Sequence, residues 1–283
     1  AHVWTPWFSL YGSQSGFDSI LDCFQDLTGY IYAVETGLSS DPAMNWRIEE
    51  LEDRQIVSFS DAHSPEKLGR EATVFDLEEL SFKSISDAIK GEGNSKIAHT
   101  IEFYPEEGKY HYSGHRKCEV IYSPKEIRNK GTTCPICGKP LTVGVMSRVE
   151  SLATRNIETK SKTDKNGVRW IKDKEEKRPP YVMLVPLMEI IAEVMDVGVN
   201  TKTVEEEYER LLNFFGSEFE VLLEASLDEV SNNFSQELSE AISKVRSGDI
   251  YIRPGYDGVF GDVKIWKDKE KKEEDVSNQE SLF

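Results

Sequence analysis

Arg54-Gln55-Ile56-Val57-Ser58-Phe59-Ser60-Asp61-Ala62-His63-Ser64-Pro65 decides how the chain is read. Its first half, with β-branched and aromatic residues, predicts a strand, and its second half is a polar turn. The C-terminal ends of strands in α/β sheets and barrels are where ligands sit. Asp61 and His63 can face one site when the turn bends between them. A carboxylate oxygen beside an imidazole nitrogen suits Zn, Mn or Fe. The plainer reading is a strand end with a capping Asp and an incidental His.

Upstream, Tyr30-Ile31-Tyr32-Ala33-Val34-Glu35 reads as a second strand, and helical stretches over 17–24 and 84–90 (ended by Gly91) give residues 1–92 a βα rhythm. Glu35 then falls at a strand end on the same face as Asp61. It is either a group that orients a ligand or water, or a structural carboxylate. Ser39 and Ser40, in the turn that follows, are candidates for lining a base pocket. His2 lies in Ala1-His2-Val3-Trp4-Thr5-Pro6-Trp7-Phe8, a stretch that reads as interior, where an unpaired imidazole is costly. That stretch contains no initiator Met, and the expectation is a chain that begins partway through a domain.

His115-x2-Cys118 and Cys134-x2-Cys137 form two ligand pairs with zinc-ribbon spacing. Three of the four cysteines cluster here, which suits a structural Zn in a reducing compartment better than a disulfide framework. His111 is the alternative fourth ligand to His115. Residues 93–150 are accordingly expected as a zinc-binding module, and the polar, basic stretch 151–180 as a linker. Beyond it, Leu187/Ile190/Ile191/Val194/Met195, Tyr208/Leu211/Leu212/Phe215 and Leu238/Ala241/Ile242/Val245 repeat at helical spacing. They predict a helical C-terminal domain over 181–266, with helix ends at Gly198, Gly216 and Gly248. A strand at 250–253 leads into the turn-forming Pro254-Gly255-Tyr256-Asp257-Gly258. Residues 267–283 are a charged tail whose final Gln279-Glu280-Ser281-Leu282-Phe283 resembles a sliding-clamp peptide, with Gln279, Leu282 and Phe283 as its contacts.

The 283 residues carry a net charge of -17, which alone argues against phosphate binding. From Lys96 to Pro180, however, 18 Lys/Arg stand against 11 Asp/Glu, a balance of +7 that leaves -24 for the remainder. A basic middle between acidic flanks suits a nucleic-acid-contacting module beside a metal-holding one. No run of about 18 apolar residues occurs, so no membrane span is expected.

Three segments together, Ala1–Trp7, Val34-Glu35-Thr36-Gly37-Leu38-Ser39-Ser40-Asp41-Pro42 and Ser58–Pro65, resemble the C-terminal half of a PHP (polymerase-and-histidinol-phosphatase-type) domain. More narrowly, the ordered set is similar to endonuclease Q. The similarity continues through Gly114-His115-Arg116-Lys117-Cys118, Cys134–Leu141, Pro186–Glu193 and Pro254–Gly258. The resemblance implies the C-terminal part of a PHP-type (β/α) barrel, then a zinc-ribbon-like module and a small, mainly helical domain. It implies His2, Asp61 and His63 as ligands of catalytic divalent metals (Zn, Mn or Mg), with Asp61 and His63 as catalytic residues; Glu35, from its place at the strand end, is the further catalytic candidate. It implies hydrolysis of DNA on the 5′ side of hypoxanthine, uracil, xanthine or an abasic site, in the cytoplasm on nucleoid DNA. The family's opening His-x-His is not among the five histidines at 2, 63, 99, 111 and 115, and the expectation is weak metal binding and no cleavage by these residues alone. Another PHP-type phosphoesterase or exonuclease, or an inactive zinc-stabilised DNA-binding fragment, are the alternatives.

Overall fold

The computed structural model describes residues 1–267. The chain runs through α1 (Ile20–Phe24), β1 (Ala33–Glu35), α2 (Pro42–Trp46), β2 (Gln55–Val57), β3 (Ala72–Asp76), α3 (Phe82–Lys90) and β4 (Lys96–Glu102). It continues through β5 (Ser113–His115), β6 (Val120–Tyr122), α4 (Pro124–Lys130), α5 (Val145–Leu152), β7 (Thr159–Thr163), β8 (Arg169–Asp173) and β9 (Tyr181–Met183). Helices α6 (Leu187–Met195), α7 (Lys202–Phe215), α8 (Leu227–Asn233) and α9 (Gln236–Ser247) follow, then β10 (Tyr251–Arg253) and β11 (Asp262–Lys264). The fold is α/β with a helical C-terminal region, as the sequence leads one to expect. None of the described helices is long and apolar enough to cross a membrane.

Strands β1 and β2 pair in parallel, with Glu35 opposite Val57, so both chains leave the pair at the same edge. A second sheet has the order β3-β4-β9-β8-β7, parallel between β4 and β9 and antiparallel elsewhere. This sheet differs from the expected division of the chain. The β3–β4 pair crosses the boundary drawn at residue 92. Residues 159–173, expected within a linker, are a β-hairpin. The reason is that β7 is the sheet's edge strand and every residue of it is exposed, so it carries no alternation of apolar and polar residues.

The main core lies between this sheet and the helices. Leu187, Ile190 and Ile191 of α6, Leu211 of α7, and Leu238, Ala241, Ile242 and Val245 of α9 are buried there with Ile101 and Val182. Helix α6 ends two residues earlier than Gly198 implied: Asp196 adopts the left-handed conformation (φ 53°), a role an Asp tolerates, while Gly248 ends α9 as expected (φ 70°). A second core joins Val3, Trp4, Tyr11 and Val34 to Val145 and Val149 of α5, so α5 packs on the first segment and not only on the cysteine module.

Arg246 of α9 is 2% exposed and charged. Its guanidinium donates to the carbonyls of Leu222 (2.9 Å), Val221 (3.0 Å) and Ala225 (2.7 Å), which end a π-helical turn over Glu220–Glu224, and to that of Asn166 (2.9 Å) in the β7–β8 turn. One side chain thus satisfies carbonyls that no backbone donor reaches and ties the hairpin to the helices. Arg246→Met should lower the unfolding free energy by about 3 kcal/mol, because buried acceptors lose a charged donor. Chemical denaturation measures it, and a loss below about 1 kcal/mol would contradict this role.

Candidate active site and metal centre

Glu35 is the last residue of β1, and Asp61 stands four residues beyond the end of β2. The backbone N–H of His2 donates to Glu35 Oε2 (3.0 Å), and His2 Nδ1 lies 3.3 Å from the same oxygen. The Glu35 carboxylate thus sets the position of the His2 ring and turns its Nε2 edge away from β1. That Nε2 faces Asp61 Oδ1 at 3.8 Å, beyond direct hydrogen-bond range. Gly37 closes the arrangement from behind: its φ is +54°, and a Cβ on it would come within 2.9 Å of His2 Nδ1. Asp61 itself holds a left-handed conformation (φ 46°), and Arg70 Nε donates to the Ser60 carbonyl (2.8 Å) to pin this turn.

His63 Nδ1 lies 2.8 Å from the Asp61 carbonyl, an acceptor, so its Nε2 carries the free lone pair. Its ring does not join His2 and Asp61 in a compact set of three donors: among the described residues the one such group is the cysteine cluster. The structure therefore brings together His2, Glu35 and Asp61, with His63 alongside Asp61 through the backbone.

Beneath this edge lies a pair of buried acids that the sequence reading passed over. Glu102 of β4 is fully buried and accepts from the hydroxyls of Thr36 (3.0 Å), Ser58 (3.0 Å) and Thr100. Thr36 and Ser58 directly follow β1 and β2, so a single carboxyl joins both strand ends to the larger sheet. Burial, and then the neighbouring Glu71, push the Glu102 carboxyl well above the usual range. Glu71 is 2% exposed, takes the Phe103 N–H on Oε1 and leaves Oε2 without a partner. Burial lifts its carboxyl to about 8, with Glu35 adding to the rise. An acid at position 102 inside the apolar run Thr100–Tyr104 was the one available signal.

Beside the His2 segment is a cavity of about 210 Å³, lined by Trp7, Ser39, Lys109, Tyr110, His111 and Phe260 among others. Trp7 and Tyr110 meet edge to face at 5.1 Å, and Lys109 Nζ lies 5.7 Å from the centroids of Tyr110 and Phe260. His111 is buried with Nδ1 unpartnered, and burial brings its imidazole down to about 4, so the ring is neutral. Of the two serines proposed for a base pocket, Ser39 lines this cavity. Ser40 does not: it is fully buried, donating to the Thr36 carbonyl (2.9 Å) and accepting from Asn45 Nδ2 (3.1 Å).

The second candidate centre gathers His115, Cys118, Cys134 and Cys137, whose ligand atoms all lie within 4.8 Å of one another. His111, the alternative ligand, lies outside this group in the cavity. His115 ends β5, and Cys118 follows in a single 3-10 turn before β6, which pairs with β5. Gly138, at φ 70°, lets Cys134–Cys137 close into a knuckle, its N–H donating to the Cys134 carbonyl (2.9 Å). Burial alone would raise the Cys134 thiol; the N–H groups of Cys137 and Ile136, then His115, outweigh it and bring the thiol to about 6. Three thiols and an imidazole so placed fit a tetrahedral thiophilic ion, with every position supplied by protein. The Pro254–Gly258 turn braces the module: Asp257 accepts from the Arg116 N–H (2.7 Å) and the Thr142 hydroxyl. The expected clamp contacts Gln279, Leu282 and Phe283 lie outside the described residues.

Comparison with known proteins gives the following. A model of the PHP-associated family matches residues 54–92, and one of the MJ0043 C-terminal domain matches 186–249. MJ0043 of Methanocaldococcus jannaschii is 36% identical over 271 residues, 93% of this chain and 31% of that protein. YqxK of Bacillus subtilis is 31% identical over 267 residues, 93% of this chain and 60% of that protein. Two solved structures match with a TM-score of 0.76 each. One is the lesion-specific endonuclease PfuEndoQ of Pyrococcus furiosus (34% identity, 93% of this chain, 61% of that one). The other is endonuclease Q in complex with a 27-mer duplex substrate bearing an abasic lesion at the active site (33% identity, 96% of this chain, 65% of that one). The chain is thus similar to endonuclease Q along nearly its whole length, and it spans from 31% to 65% of the length of these relatives.

Two outcomes are expected from the geometry. The purified chain should carry about one thiophilic divalent ion by elemental analysis, and Cys134→Ser should lose it; a metal-free wild-type chain would refute the centre. Glu71 releases its proton near 8 when folded and near 4.5 when unfolded, so its contribution to stability is complete below 4.5 and is lost as pH rises toward 8. Glu71→Gln, neutral throughout, should flatten the pH dependence of unfolding across that window and stabilise the chain at pH 8 by at least about 1.4 kcal/mol, one pKa unit's worth. An unchanged slope would show the carboxyl to be ionised in the folded chain.

Proposed function

We propose that this chain, similar to endonuclease Q along nearly its whole length, is part of a DNA repair endonuclease that cuts beside deaminated bases or abasic sites. The observation that carries the reading is the His2–Asp61 pair at a parallel-strand edge. Glu35 holds the His2 ring so that Nε2 points at a carboxylate oxygen 3.8 Å away, a gap suited to a divalent ion with bonds of about 2.0–2.1 Å to nitrogen and oxygen. His2 and Asp61 would hold such an ion, and His63, with Nε2 free, would serve the same centre. Mn, Zn or Mg bound there would activate water and neutralise charge on the scissile phosphate.

The adjoining cavity suits a base taken out of the duplex. Trp7, Tyr110 and Phe260 offer aromatic faces, and Lys109 offers positive charge. His111 lines the same cavity as a neutral ring whose Nδ1 is buried in the wall. In the cysteine centre His115, Cys118, Cys134 and Cys137 would hold zinc in a structural role.

The test uses the natural polypeptide containing these residues, with Mn²⁺, duplexes carrying one deoxyinosine or one abasic site, an undamaged duplex and a generic phosphatase substrate. Nicking confined to the damaged duplexes, with a loss of about 10²-fold or more in Asp61→Asn, is the expected result. Equal cutting of undamaged DNA, or turnover of the phosphatase substrate alone, would overturn the lesion reading. Full activity in Asp61→Asn would overturn the ligand assignment.

A further inference from the structure

The β7–β8 hairpin takes no part in the site above. Lys160 pairs across the strands with Lys172, and Lys162 with Trp170, so all four side chains share one face of the edge of the sheet. Like charges directly opposite each other destabilise a strand pair. Residues 159–174 hold six Lys/Arg against two Asp, a balance of +4 in a chain of -17. Both aspartates are committed elsewhere. Asp164 accepts from the N–H groups of Asn166 and Val168 and from Trp170 Nε1, and Asp173 from the N–H groups of Glu175, Lys177 and Arg178.

Glu158 neutralises Lys174 at the end of the same face, and Glu176 supplies the counter-charge to Lys160. Its backbone is left-handed (φ 55°), which a glutamate rarely adopts, and its carboxylate lies 2.6 Å from Lys160 Nζ. Lys160 first, then Lys172 and more weakly Lys162, hold that carboxyl below the usual range. A carboxylate paired with Lys160, with Lys172 beside it across the strands and Lys162 on the same face of an exposed strand edge, marks a place where an anionic oxygen group is held by lysines, as a phosphate is.

We propose that the Lys160–Lys162–Lys172 face is a separate grip on the DNA phosphate backbone, and that Glu176 occupies it until a phosphate displaces its carboxylate. The inference rests on the DNA-acting reading above. It makes the hairpin a sequence-independent contact whose strength falls with salt.

Fluorescence anisotropy of the chain with undamaged and abasic duplexes across a salt series tests it. In Lys160→Ala/Lys172→Ala, affinity at low salt should fall about ten-fold and the log–log salt slope should shrink by about 2. Glu176→Gln should act in the opposite direction and tighten binding, which a general loss of folding cannot mimic. Unchanged affinity and slope in the lysine variant, or weaker binding by Glu176→Gln, would overturn the grip. So would lysine-dependent binding to phosphatidylserine vesicles with duplex binding unaffected. Hairpin effects on both duplexes without any preference for the abasic one would sustain the grip and count against the lesion reading alone. No duplex binding by the wild-type chain would overturn both.

Discussion

Glu102 sits fully buried where two parallel strands and a five-stranded sheet meet, and three hydroxyls donate to its carboxyl. Thr36 and Ser58, two of the three donors, are the first residues beyond β1 and β2. Whatever angle those strand ends take, they must keep both hydroxyls on one carboxyl, because a buried polar group without a partner costs free energy. The positions of Glu35 and of the Asp61 turn follow from that constraint. A two-stranded parallel sheet of three residues per strand has little stability of its own, so this tie to the larger sheet sets its geometry.

From the strand edge outward, each contact narrows what the next can do. Gly37 allows the backbone to press close to His2, Glu35 sets the position of the ring, and Nε2 is left facing Asp61. The segments that leave this edge, Thr5–Trp7 and Leu38–Ser39, form one wall of the aromatic cavity, and residues 105–111 and Phe260 supply others. Site and cavity are therefore built from stretches far apart in the chain. The cysteine module is held in the same way, since Asp257 reaches Arg116 and Thr142 from more than a hundred residues away. Arg246 does the corresponding work between hairpin and helices.

Local signals in the sequence were dependable where one residue type has one physical use. Two Cx2-spaced ligand pairs predicted a four-donor cluster, and His115, Cys118, Cys134 and Cys137 converge. Apolar residues at helical spacing predicted α6, α7 and α9, and their stripes lie in the core. Asp61 and His63 were visible because a strand pattern stopped beside them, and Glu35 for the same reason. The hairpin at 159–173 was not visible: its lysines gave it the composition of a linker, and an edge strand with every side chain exposed has no period to detect.

The sequence by itself determined the elements that carry an apolar period or a ligand spacing, because periodicity, glycine conformation and ligand spacing act over a few residues. It also determined the ordered motifs that make the chain similar to endonuclease Q. Only the tertiary structure decided that Glu71 and Glu102 are buried together, that His111 belongs to a cavity and not to the cysteine centre, that Ser39 lines that cavity while Ser40 is sealed beneath it, and that Glu176 pairs with Lys160. Each of these depends on what lies opposite a side chain across the fold. Burial and partner are properties of packing, and packing brings together residues whose separation in sequence carries no trace of their contact.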